Sequence, residues 1–242
     1  MNAFRLDKRL GVAALALWLA ALACNAIPIT RVAELRTDTQ AVSVDSATSA
    51  SVQIEMGAGE LSLQGGADSL MEAAFRYNAA DWKPEIGYRE SGAQGELSVT
   101  HQDARLPVGD KLINEWDIQL SNSIPLDLVI HTGAGVSNLD LSNLSLSRLE
   151  IETGAGITTI DLTGSWDQDL RVSIQAGVGE ITVRLPSETG VRVNMDTALV
   201  GVTANNLIKD DNGYVNRAFG AAAHTLTLDL QAGVGSVKLE VP

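Results

Sequence analysis

The sequence predicts an all-β fold of stacked strands, a β-solenoid-like array with repeats of about 22 residues cornered at G-x-G. Three observations carry this expectation. One phrase recurs five times, as "EMGAGELSL", "HTGAGVSNLDL", "ETGAGITTIDL", "QAGVGEITVRL" and "QAGVGSVKLEV". Apolar residues alternate on both sides of its second glycine, the mark of strands. Third, 45% of the chain is apolar but only 4% aromatic, so the core must be built from Val, Ile, Leu and Ala.

The alternation changes parity at the glycine. Counting from Gly59, Gly135, Gly156, Gly179 and Gly235, the residues seven and five places earlier are apolar in every copy, as Leu128 and Ile130 are before Gly135. After the glycine the apolar residues fall at even offsets, as do Ile181, Val183 and Leu185 after Gly179. A one-residue slip sends side chains to the opposite face. The chain must therefore bend there to keep one interior, and glycine permits the backbone that a bend needs. Each G-x-G is thus expected to be a corner between two strands. The row four places earlier, Glu55, His131, Glu152, Gln175 and Gln231, should point outward.

Along the chain, Arg5, Lys8 and Arg9 precede the apolar run "GVAALALWLAALA", and Cys24 follows Ala23. That run is too short to span a bilayer at roughly 20 residues, and it reads as a secretory leader over 1–23. "AALAC" is similar to a bacterial lipobox, which implies cleavage before Cys24 and a diacylglycerol thioether on its sulfur. The competing readings are an uncleaved anchor extending through Ile27 and an ordinary leader with a chance cysteine. Residues 24–45 read as a polar tether running into a first strand. Residues 46–122 form a less regular β section, with turns at "DWKP" and "SGAQG". Residues 123–242 hold the regular repeats, spaced 21 from Gly135 to Gly156 and 23 on to Gly179. A degenerate copy is expected around Gly201, followed by a surface insertion through "IKDDNGYVNRAFG". The closing "SVKLEVP" should then be the last strand of the stack, its free edge either open to a partner or a second copy or covered by the chain's own N-terminal section.

With "VQIEMGAGELSLQGG", "WKPEIGY", "NEWDIQLSNSIPLDLVIHTGAG", "LRVSIQAGVGEITVRLP" and "AGVGSVKL" in view, the chain resembles the toast-rack family of bacterial envelope proteins. The resemblance covers about residues 45–242. It implies a stacked extracytoplasmic β module with no established catalytic residues, related to candidate adhesins and to domains of the cell-wall-active-antibiotic response.

The remaining chemistry is sparse. A net charge of −13, and −15 without residues 1–23, excludes a basic nucleic-acid footprint. The G-x-G phrases lack the third glycine and the following helix of a dinucleotide site, and no Gly-Lys-Ser/Thr loop is present. His101, His131 and His224 stand in separate segments without metal-ligand spacing, so neither metal nor cofactor is expected. Carboxylates such as Glu150 and Glu152 alternate on the outer face; solvation is the plain explanation, and a glycan-processing enzyme is the rival. Trp82, Trp116, Tyr214 and Phe219 fall outside the regular repeats, either as a recognition surface on loops or as plugs for the ends of the stack. The expected role is a lipid-anchored, non-enzymatic module at a bacterial membrane. It would contact an envelope protein or sense envelope stress, and an adhesin is the further alternative.

Overall fold

The structure, a computed structural model, describes residues 34–101, 111–211 and 213–242. The leader expected over residues 1–23 and Cys24 lie outside the described residues. The strands are β1 Arg36–Val42, β2 Ser49–Ala67, β3 Met71–Tyr77, β4 Glu85–Ser91, β5 Gln94–Thr100, β6 Asn114–Ser121, β7 Leu126–Asp140, β8 Leu146–Asp161, β9 Leu170–Arg184, β10 Gly190–Asn205, β11 Ile208–Asp210, β12 Gly213–Val215 and β13 Thr225–Glu240. A 3₁₀ turn at Ala80–Trp82 is the one helical element among the described residues.

Six long strands lie parallel and in register in the order β2, β7, β8, β9, β13, β10. Each is one continuous strand through its glycines rather than two strands meeting at a corner. The hydrogen-bonded ladder survives because neighbouring strands kink at the same place: Gly59, Gly135, Gly156, Gly179 and Gly235 are all cross-strand partners in sequence. The parity switch is real. In β7, Leu128 and Ile130 are buried before the kink and Ser137 and Leu139 after it. Only residues 141–145 separate parallel β7 from β8. Parallel neighbours ordinarily need a crossover of about a dozen residues. So short a link requires each strand to fold back at its glycine and end close to where the next begins.

Two properties fix glycine at the kink. At Gly135 φ is 138° and at Gly156 it is 141°, a region that L side chains rarely adopt. A Cβ at Gly156 would also lie 1.9 Å from the carbonyl oxygen of Gly135. The turns repeat as well. Asp140 accepts from the amide and hydroxyl of Ser142 at 3.2 and 2.6 Å, and Asp161 does the same for Thr163 at 3.0 and 2.6 Å. Burial pushes the Asp161 carboxyl upward, but the Thr163 bonds and Arg184 outweigh it and hold it below the usual range. A depressed carboxylate adds stability above its unfolded value of about 3.9, and that stability is lost as pH falls through the folded value. The melting-temperature gap between wild type and Asp161→Asn should therefore be constant at neutral pH and narrow below about pH 4; thermal scans across pH 2–7 check this.

The ends of the stack differ from the sequence expectation. Part of the tether is sheet: β1 pairs antiparallel with β3 from Arg36 to Val42. On one side of β2 its first half takes β5 and then β4, while its second half takes β6, β3 and β1. β5 and β6 thus serve as two halves of a further, interrupted rung. At the other end, "SVKLEVP" does not form an edge strand. β13 enters between β9 and β10, and both of its sides are paired. The chain leaves the stack after β9, lays down β10 one place further out, and returns through β11 and β12 to fill the gap. The degenerate copy is also shifted by one residue, because Val200, not Gly201, pairs with Gly235.

Candidate surface groove

A groove of about 940 Å³ crosses the outer face of the stack. Its wall is the in-register row Glu55, His131, Glu152, Gln175, Gln231 and Asp196, one residue from each long strand. Its floor is the first glycine of each phrase, Gly57, Gly133, Gly154, Gly177 and Gly233, with Ala198 on β10. The floor is bare for a packing reason. A Cβ on Gly133 would sit 2.1 Å from the carbonyl oxygen of Gly57, and one on Gly154 would sit 2.3 Å from that of Gly133. Strands this close leave a strip of exposed backbone beside a row of polar side chains. Six strands at a spacing of about 4.8 Å make the groove roughly 24 Å long.

His101 closes one end. Its Nδ1 accepts the Gly57 amide at 3.4 Å, and its ring stands edge-on to Trp116 at 6.5 Å. Behind it, buried Asn114 donates from its amide to the Ala58 carbonyl at 2.6 Å, and its Oδ1 accepts Trp116 Nε1 at 2.9 Å.

The register brings together groups that the sequence keeps apart. Glu55 Oε1 lies 3.7 Å from His131 Nδ1, and Glu152 Oε2 lies 3.7 Å from His131 Nε2. Gln53 Nε2 donates to Glu55 at 2.6 Å and steadies it. One ligand atom each from His131, Glu150 and Glu152 fall within 4.8 Å of one another. This set could accept a divalent cation, although Glu150 is already engaged by Arg148 at 2.5 Å. No metal was expected from spacing, because His131 and Glu152 are 21 residues apart and meet only when the repeat is stacked. His224 is elsewhere, 3.9 Å from Asp169.

Trp82 and Trp116 are core residues and cannot form a recognition surface. Trp116 is 1% exposed and Trp82 is 4% exposed, both within the hydrophobic core. Phe75 meets the Trp116 ring edge-on at 5.4 Å. Tyr214 and Phe219 are half-buried against β10, where the Arg192 guanidinium lies 4.5 Å from the Phe219 ring centre. Buried Asn216 pins this insertion by accepting the Val191 amide at 2.9 Å and donating to the carbonyls of Pro186 and Thr189 at 3.1 and 2.8 Å. Tyr214 and Phe219 thus lie beside β10, at the last long rung.

Fold and groove define an all-β stacked-strand module with an extended polar trough. Residues 31–184 match the N-terminal domain of toast_rack, DUF2154, and the chain belongs to the toast-rack family. A crystal structure from Clostridium sporogenes, described as that of a candidate cell adhesion protein, is 29% identical with a TM-score of 0.84. The match covers 86% of this chain and 100% of that one. Candidate adhesins from Bacteroides fragilis and Parabacteroides distasonis are 12% and 10% identical, with TM-scores of 0.31 and 0.29. Those matches cover 86% and 88% of this chain and 97% and 99% of theirs. No curated protein matches the chain.

Proposed function

We propose that the chain is a lipid-anchored, non-enzymatic recognition module on the outer side of a bacterial membrane, and that its groove is the contact surface for an envelope protein. The observation that carries this reading is the groove itself: one polar side chain per rung, held at a fixed spacing beside bare backbone. An extended segment laid across the rungs would meet exposed peptide groups and a carboxylate, imidazole or amide at every step. Binding of this kind needs no moving part and no reacting centre. The family and the adhesion-named relative support a surface role, and "AALAC" supports the anchor.

Two experiments test the parts separately. Cys24→Ser should leave an unprocessed precursor without lipid label, whereas a mature protein with an unmodified Cys24 by mass spectrometry defeats the anchor. Gln175→Arg with Gln231→Arg replaces two exposed wall residues and should weaken capture of the cross-linked envelope partner about tenfold or more with an unchanged melting temperature. Equal capture would remove the groove from the contact. The carboxylates around His131 favour one rival, a glycan-processing enzyme. Turnover of a polysaccharide that is abolished by Glu152→Gln would establish the rival and overturn the non-enzymatic reading.

A further inference from the structure

β10 is the last full rung, and its two halves are finished differently. Its first half is covered, since β12 pairs with Arg192–Asn194 and β11 lies beyond. From Met195 to Asn205, the side of β10 away from β13 has no paired strand among the described residues. The core is open there. Val202 and Ala204 are half-exposed, while their partners on β13, Val237 and Leu239, are 2% and 0% exposed.

This edge lacks the protection of the others. β1 carries Arg36 and Asp38, and β4 carries Glu85, Arg89 and Glu90, charges that discourage edge-to-edge pairing. Met195–Asn205 carries Asp196 alone and has no lysine, arginine or proline. The outer crest beside it also grows more apolar toward β10. The row one place before the kink runs Ala58, Ala134, Ala155, Val178, Val234 and Leu199, and the last is 76% exposed.

We propose that this edge pairs antiparallel with the same edge of a second copy of the chain, continuing the sheet across a two-fold axis. The strand names its own partner. About Gly201 it reads nearly the same in both directions, as Ala198, Leu199, Val200, Gly201, Val202, Thr203, Ala204. A two-fold through Gly201 sets Val200 against Val202 of the other copy, Leu199 against Thr203, Ala198 against Ala204 and Thr197 against Asn205, all within β10. No two like charges face each other, and the apolar pairs are ones that stabilise antiparallel strands. For a chain of net charge −13, a stretch with one carboxylate is where self-repulsion is weakest. The pairing rests on no assumption about what the groove binds, although Asp196 and Ala198 belong to both surfaces.

Sedimentation equilibrium of the full chain in mild detergent, up to roughly 100 μM, tests it together with amide exchange. The wild type should dimerise, with protection along 195–205 rising with concentration. L199K/T203K sets lysine against lysine twice at exposed positions. It should raise the dissociation constant about tenfold or more with an unchanged melting temperature. L199E/T203E should behave likewise, and an equimolar mixture of the two variants should form heterodimers. A monomeric wild type, a dimer that persists in L199K/T203K, or a mixture that stays monomeric would each overturn the pairing.

Discussion

Gly156→Val should destroy the native fold or lower its melting temperature by on the order of 10 °C, while Thr159→Val, three residues on, should change it by no more than a few degrees. The two substitutions add the same kind of side chain to the same strand. At Gly156 the backbone has φ of 141°, and a Cβ would meet the Gly135 oxygen at 1.9 Å. Neither fault can relax alone, because Gly135 is packed in turn against Gly59, where an added Cβ would likewise lie 1.9 Å from the carbonyl oxygen. The strained backbone alone costs about 1–3 kcal/mol. Separating two rungs to relieve the clash would cost ladder hydrogen bonds on top of that. Thr159 is half-exposed and has negative φ, so valine there meets neither fault. Equal melting temperatures would mean that the rungs do not pack backbone to backbone.

Trp116→Ala should cost about 3–5 kcal/mol, the range for removing a buried aromatic. The ring is 1% exposed, stacks edge-on with Phe75 and His101, and donates to Asn114. Its loss would leave a cavity and also free the buried Asn114 side chain that holds the Ala58 carbonyl. Denaturant unfolding should show a lower midpoint with little change in slope. A stability change under about 1 kcal/mol, with binding lost instead, would return Trp116 to the recognition surface.

These two residues mark what could be read from the chain. The kink was legible because parity is a property of adjacent residues: Ile130 and Leu139 cannot both face inward unless the strand changes sense between them. The outward row at Glu55, His131 and Glu152 followed from the same count. The alternation of Trp116, Ile118 and Leu120 points Trp116 inward, a local signal masked by its position outside the regular repeats. Spatial order was not legible. A 34-residue gap before Gly235 is compatible with the next rung in line, and nothing local shows that β13 is inserted between β9 and β10. That choice is made by packing, since β13 offers a complete glycine kink to match Gly179 and β10 does not. The groove was hidden for a related reason. Its depth comes from side chains missing in five strands at once, and its His131–Glu152 contact exists only after stacking.

The groove as the working surface is tested most directly by site-specific photo-crosslinking in living cells. A photoreactive side chain would be placed at Gln175 in the wall and, separately, at Arg171 on the same strand away from it. Both positions are exposed and lie on β9, so reach and folding are matched. A discrete adduct with an envelope protein from position 175, absent from position 171, is the expected result. The same adducts from both positions, or none from 175, would contradict it.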